Sequence, residues 1–214
     1  MCVGLECVVA ENSAATATPS RKPLVKTSLL SAFALSLCLG SCAMHGRVGS
    51  PSTPEDRPLV SVAALDVSRY MGGWYEIAKL PNWFQRNCAR DTRAVYRLLP
   101  DGQVEVDNSC RNKQGEMERA IGAARLARAG KASELEVRFA PEWLSFVPLV
   151  WANYWVIDID PQYQLVAVSE PGRKYLWVLS RRPQVDERAY EALLVRLREK
   201  GFDLAELART PQSN

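Results

Sequence analysis

Between Trp74 and Arg181 the sequence breaks into eight short apolar or alternating runs, each followed within a few residues by a turn signal. This rhythm is the mark of an antiparallel sandwich or barrel. The runs are 74–80, 92–99, 103–108, 117–127, 133–139, 151–158, 164–169 and 175–181, and Pro100-Asp101-Gly102, the stretch around Gly130, Asp160-Pro161 and Pro171-Gly172 supply turns between them. Links this short make neighbours in sequence neighbours in space, so an up-and-down topology is predicted. Eight strands closed in this way leave no free edge and enclose room for one small ligand.

After Pro183 the period changes. Tyr190, Leu193, Leu194 and Leu197 follow the i, i+3, i+4, i+7 spacing of an amphipathic helix, with Asp186 able to cap its start and Gly201 to end it. Its apolar stripe has a place only against the outside of the barrel. A chain of 214 residues with 47% hydrophobic residues supplies one ordinary domain and its core. The net charge of +3 is spread over interleaved charges of both signs, which predicts no nucleic-acid partner.

The longest apolar stretch, 29–40, is too short for the roughly 20 residues of a membrane-spanning helix and reads as the core of a signal peptide behind Arg21, Lys22 and Lys26. It ends in Leu39-Gly40-Ser41-Cys42, which resembles the lipobox at which bacteria acylate a cysteine before cleavage. Cys38 competes less well, because Leu37 is too bulky for the cleavage position. Ala43 at the next position is of the type that releases such lipoproteins to the outer membrane. The long polar leader suggests that translation starts near Val25. Residues 1–41 are therefore assigned to the leader and signal, 42–62 to a flexible tether rich in Gly, Pro, Ser and Thr, and 63–210 to the folded domain.

Of six cysteines, only Cys88 and Cys110 fall in the folded body, and an exported pair points to a disulfide rather than to free thiols. Two thiols without histidines nearby fall short of a zinc site, and no metal or cofactor is implied. His45, the single histidine, lies in the tether, which argues against Ser-His or Cys-His catalysis. Asp158 and Asp160 share a strand face and could act as paired carboxylates, but their place beside Pro161 favours a solvated turn.

Gly72-Gly73-Trp74 resembles the G-x-W motif that opens lipocalins, Tyr154-Trp155-Val156-Ile157-Asp158-Ile159-Asp160 is similar to the second motif of that family, and Tyr175-Leu176-Trp177-Val178-Leu179-Ser180-Arg181 to the third. The second motif departs from the family pattern, with Ile157-Asp158 where Thr-Asp is expected. The resemblance covers about 65–210 and looks nearest to bacterial outer-membrane lipocalins related to apolipoprotein D. It implies an all-β fold, an eight-stranded antiparallel barrel with one C-terminal helix, and Gly72, Trp74 and Arg181 as structural markers. Trp74 would plug the barrel floor with the Arg181 guanidinium across its ring.

The same resemblance places Tyr175, Trp177 and Leu179 on the inner face, with Thr92, Ala94, Tyr96, Ala152, Tyr154, Val156, Leu165 and Ala167. The apolar segments 80–85 and 139–151, where loops are usually polar, would guard the mouth or serve as a membrane contact or homodimer face. The ligand contacts expected are Trp83, Phe84, Ala94, Tyr96, Trp143, Tyr154, Ala167 and Trp177. The implied function is binding, not catalysis: a protein held in the bacterial outer membrane through Cys42, facing the periplasm, that carries fatty acids or lysophospholipids. Two alternatives stand beside it, a structural lipoprotein that holds a protein partner and a lipocalin-type isomerase.

Overall fold

A computed structural model describes residues 53–127 and 130–213. The leader, the signal segment, Cys42 and His45 lie outside the described residues. Eight strands run in sequence order: β1 (Gly72–Lys79), β2 (Cys88–Leu98), β3 (Val104–Asn112), β4 (Met117–Leu126), β5 (Glu134–Arg138), β6 (Ala152–Ile159), β7 (Leu165–Ser169) and β8 (Leu176–Ser180). Each pairs antiparallel with the next, β8 returns to β1, and β1 pairs with β2, so the sheet closes as the turn spacing predicts. A four-residue helix α1 (Val67–Tyr70) precedes β1, and α2 (Glu187–Glu199) follows β8.

The closing seam is built in two parts. β1 meets β2 only from Gly72↔Tyr96 to Tyr75↔Arg93, and beyond that point the two strands separate. The C-terminal segment fills the gap: a short strand β9 (Ala208–Arg209) pairs with Ala78 and Lys79 of β1, and the Thr210 N–H donates to the Ile77 carbonyl at 2.9 Å. On its other side the Asp91 N–H donates to the Pro211 carbonyl at 2.9 Å, and Asp91, at φ 56°, accepts the Ser213 N–H on its carboxylate. Glu76, buried in the seam, accepts from the Thr210 hydroxyl at 2.6 Å and pairs with the Lys79 ammonium at 3.0 Å. The two-residue run of β9 lacks the alternation by which the sequence marks the other strands.

Two cores result. The inner one fills the lower barrel with Trp74, Tyr96, Val104, Val106, Ala124, Val156, Val166, Val168 and Leu179. The outer one lies between the barrel wall and α2, whose Tyr190, Leu193, Leu194 and Leu197 are all buried against Ile157, Leu165, Ala167, Leu176 and Val178. Each such helix side chain contributes about 2 kcal/mol by area removed from water. The helix starts at Asp186, whose carboxylate accepts the Ala189 N–H at 2.8 Å, and ends at Gly201 in the left-handed region. A bidentate pair from Arg196 to Asp158, at 2.8 and 2.9 Å, fixes its rotation on the barrel.

The expected tether is too long at its C-terminal end. Leu59 is buried in the outer core, Ser61 is buried against Ser133, and the Val62 N–H donates to the Val156 carbonyl at 2.9 Å. The segment is fastened by backbone contacts and single side chains, which leave no periodic pattern for the sequence to display.

Cys88 and Cys110 form a disulfide between β2 and β3, as the cysteine distribution predicts. It closes the mouth-side end of a hairpin whose strand β2 has lost part of its β1 partner. A Cys88→Ala/Cys110→Ala variant is expected to lose about 3 kcal/mol of stability, the chain-entropy value for a loop of this length. Urea denaturation of the variant against the oxidised wild type measures it.

Candidate functional site

The floor of the barrel is built on Trp74, whose side chain has no solvent exposure and whose indole N–H donates to the Tyr70 carbonyl at 2.8 Å. The Arg181 guanidinium lies 3.8 Å from the Trp74 ring centroid on the other side. It donates to the carbonyls of Gly73 at 2.9 Å, Arg69 at 2.6 Å and Tyr163 at 3.3 Å, so three of its five N–H groups bind backbone acceptors. Gly72 at φ +92° makes the turn into β1, and a Cβ there would sit 3.4 Å from that guanidinium. The three residues that carry the first and third motifs thus form one closed plug.

Above the plug stand three phenols. Tyr70 stacks on Tyr96 with ring centroids 5.6 Å apart and leans on Trp74 at 5.3 Å. The Tyr154 hydroxyl bonds to the Tyr70 hydroxyl at 2.7 Å and to the Tyr96 hydroxyl at 2.9 Å. Burial pushes the Tyr96 pKa up to about 12 and carries those of Tyr70 and Tyr154 well above the usual phenol value. Between these rings and Met71, Val104, Val106, Ala124, Leu135 and Val137 remains a cavity of about 10 Å³. Tyr70 was missed in the sequence because it belongs to a one-turn helix too short to show periodicity.

Higher on the wall the inward side chains become small or polar. Strand alternation sets Thr92 and Ala94 on the face of Tyr96, and Asn108 on the face of Val104 and Val106, directly opposite Ala94. The Thr92 Oγ1 and Asn108 Oδ1 are buried without a hydrogen-bond partner. Gly122 shares the face of Ala124, and a Cβ there would lie 2.5 Å from the Arg138 carbonyl and 2.7 Å from the Phe139 ring. Its missing side chain lets Phe139 fold across the wall. The alternation Val104, Val106, Asn108 was the signal that would have found Asn108.

The antiparallel order puts the loops after β1, β3, β5 and β7 at one end of the barrel, away from the plug. Phe84 meets Trp83 edge-on at 5.7 Å, Tyr175 at 5.5 Å and Trp177 at 6.1 Å, and Tyr175 stacks on Trp177 at 5.9 Å. The Trp177 indole donates to Gln85 Oε1 at 2.9 Å, and Gln85 in turn donates to Glu76 at 2.9 Å, linking the loop to the seam. Trp143 and Phe146, 71% and 78% exposed, stand on the β5–β6 segment.

Of the expected contacts, Tyr96 belongs to the inner core and Ala94, Tyr154 and Trp177 pack against it, while Trp83, Phe84 and Trp143 lie in the loops of the open end. Ala167 is a correction. It packs with Leu165 in the outer core beneath α2, and Val166 and Val168 face the lumen in their place. β7 is covered on both sides and all five of its residues are buried, so Leu-Val-Ala-Val-Ser carries no alternation from which the inner face could be read. Asp158 is held by Arg196, and Asp160 accepts the N–H groups of Gln162, Gln164 and Leu165, so the two carboxylates serve the helix contact and the turn. Among the described residues no group of three or more His, Cys, Asp or Glu is placed to hold a metal.

A closed antiparallel barrel with a plugged floor, an apolar lower lumen and an aromatic rim defines a barrel protein that binds small hydrophobic molecules. The comparisons with known proteins say the same: a family profile described as Lipocalin-like domain matches residues 65–212, and the chain belongs to the lipocalin family. Temperature-induced lipocalin-1 of Arabidopsis thaliana is 40% identical over 163 residues, covering 75% of this chain and 86% of that protein. The outer membrane lipoprotein Blc of Escherichia coli is 34% identical over 157 residues, 73% of this chain and 83% of that protein. The solved structure of insecticyanin from Manduca sexta superposes with a TM-score of 0.57 at 20% identity, covering 72% of this chain and 84% of that one, a likeness of fold. Lipocalins are in general binding and transport proteins for small hydrophobic ligands.

The raised phenols have a consequence for stability. Above pH 10 the unfolded tyrosines ionise while the three buried ones hold their protons, so their contribution, complete below the unfolded pKa, is lost as pH rises toward the folded values. Ultraviolet titration is expected to show three tyrosines ionising only with unfolding. Titration of all seven tyrosines in the folded protein without unfolding would contradict the geometry.

Proposed function

We propose that this chain is a lipid carrier of the bacterial envelope, acylated at Cys42 and held in the outer membrane, that takes the acyl chain of a fatty acid or lysophospholipid into its barrel. The supporting observation is the polarity gradient of the lumen. The lower barrel is apolar, the β2–β3 wall above it holds Thr92 and Asn108 without partners, and the rim holds Trp83, Phe84, Tyr175 and Trp177. With only about 10 Å³ open between its side chains, the lower part takes an acyl chain by parting the apolar residues that fill it, while the polar linkage meets Thr92 and Asn108 and the head group stays at the mouth. Each methylene transferred contributes about 0.8 kcal/mol, and the sum over a chain exceeds the cost of association. The outer-membrane reading draws on the lipobox at Cys42 and on the likeness to the Escherichia coli lipoprotein.

Mass spectrometry of the full-length chain purified from a bacterial membrane tests both parts. The expected result is an N-terminal peptide beginning at diacylated Cys42 and one equivalent of non-covalently bound fatty acid or lysophospholipid. An unmodified N-terminus would overturn the anchor. A lipid-free protein that also fails to take up added lysolipid would overturn the carrier and favour a protein-binding role for the aromatic loops.

A further inference from the structure

The first described residues, 53–57, lie beside the open end of the barrel. The Arg173 guanidinium, on the β7–β8 loop, donates to the Arg57 carbonyl at 2.6 Å and to the Lys200 carbonyl at 2.8 Å. Arg57 in turn donates to the Glu199 carbonyl at 3.2 Å, and Pro54 lies so close to Gly201 that a Cβ there would sit 2.7 Å from the Pro54 carbonyl oxygen. α2 leaves the floor end of β8 and brings its last turn to this loop, so the contacts hold the segment at the level of the mouth.

The length of chain before that point limits which end of the domain meets a membrane. Cys42 stands eleven residues before Thr53. Fully extended, such a stretch spans at most about 38 Å, and as a coil about 18 Å. β2, with eleven residues, rises about 28 Å along a barrel whose strands tilt by about 40°. A diacylated Cys42 therefore leaves the mouth within coil reach of the bilayer. Turning the floor to the same bilayer would draw the tether nearly straight along the wall, at a cost in chain entropy.

The surface at the mouth suits that neighbour. Among the described residues the five exposed tryptophan and phenylalanine side chains, Trp83, Phe84, Phe139, Trp143 and Phe146, all belong to the loops after β1 and β5. At the floor end the exposed large apolar side chains are Leu98, Leu99 and Leu126, set among the exposed Asp101, Gln103 and Gln162. Aromatic rings, tryptophan above all, settle where head groups meet hydrocarbon. Charges of both signs surround them, Arg86, Lys113 and Lys174 with Glu116 and Glu142, so the apolar side chains and not lipid charge drive the contact.

We infer that the domain docks mouth-down on the leaflet that holds its own anchor, with Trp143 and Phe146 of the β5–β6 loop and Trp83 and Phe84 of the β1–β2 loop set among the head groups. Ligand then passes between leaflet and lumen without crossing water. This rests on the anchor and carrier readings above and adds the direction in which the barrel opens.

The test uses the full-length, acylated protein reconstituted in vesicles of phosphatidylethanolamine and phosphatidylglycerol. The vesicles are doped with a diacyl phosphatidylcholine whose acyl chain carries a diazirine near the head group, and adducts formed on irradiation are mapped by peptide mass spectrometry. Adducts on residues 83–86 and 139–151 are expected to exceed those on the floor-end loops 99–103 and 160–164 by about tenfold, since a barrel length separates the latter from the bilayer. A Trp143→Ser/Phe146→Ser variant replaces side chains that are 71% and 78% exposed, so it keeps the fold and the anchor and is expected to lose most of these adducts. Undiminished labelling of the same loops in that variant would overturn the contact. Adducts confined to lumen residues such as Tyr154, or as strong on the floor-end loops, would overturn the docking and leave the carrier reading intact. Unlabelled loops in a protein that runs as a dimer would also overturn it, a second copy then covering the aromatic surface. A Cys42 without its acyl group, read from the N-terminal peptide of the same digest, would overturn the anchor and the inference with it.

Discussion

Arg181 reaches from the end of β8 back across the first turn of the domain, and on that reach the barrel depends. Its guanidinium lies on Trp74 and draws the carbonyls of Arg69, Gly73 and Tyr163 to one point, so the start of the domain, the start of β1, the β6–β7 turn and the end of β8 are fastened together. A planar group with five fixed donors can stack and bind carbonyls at once, which a lysine ammonium cannot. With one end of the barrel shut in this way, the lumen is accessible from the other end only, and the positions of Tyr70, Tyr96 and Tyr154 above the plug are set by the same contact. The opposite end is held differently, by the aromatic rim, the disulfide between Cys88 and Cys110 and the hydrogen bonds that run from Thr210 through Glu76 and Gln85 to Trp177.

The seam between β1 and β2 is the second constraint. A barrel of eight strands that part company after Tyr75 would leave unpaired backbone groups along two strands. The C-terminal segment satisfies them from both sides, and the buried Glu76 carboxylate joins that segment to Gln85 and so to Trp177 at the mouth. The tail thereby belongs to the wall of the barrel, and the environment of a rim residue depends on residues far along the chain.

The strands, the helix and the plug were legible because each leaves a periodic or compositional trace: alternation in β1 to β6, the i, i+3, i+4, i+7 stripe of α2, and the large aromatic and arginine of the plug. What could not be read has a common physical cause. β7 is buried on both faces, so Ala167 and Val168 look alike in sequence while one faces α2 and the other the lumen. The packed segment around Leu59 and the caulking segment around Thr210 are held by isolated contacts. Tyr70, the phenol that makes the hydroxyl cluster, sits on a single helical turn whose place is fixed by contacts distant in sequence, with Trp74, Pro161, Tyr163 and Arg181.

The central claim is that a lipid chain lies inside the barrel, above the tyrosines, and one titration tests it most directly. Ala94 is inward and small and lies between Trp74 on β1 and Asn108 on β3, so Ala94→Phe fills the lumen immediately beside the plug while leaving the outer core untouched. Titration of wild type and Ala94→Phe with a brominated lysolipid, read by tryptophan quenching, is predicted to give saturable quenching in the wild type and a loss of affinity of at least about tenfold in the variant, each tenfold step being 1.4 kcal/mol. Undiminished, saturable quenching in the variant would place the lipid on the outer aromatic loops and contradict the account.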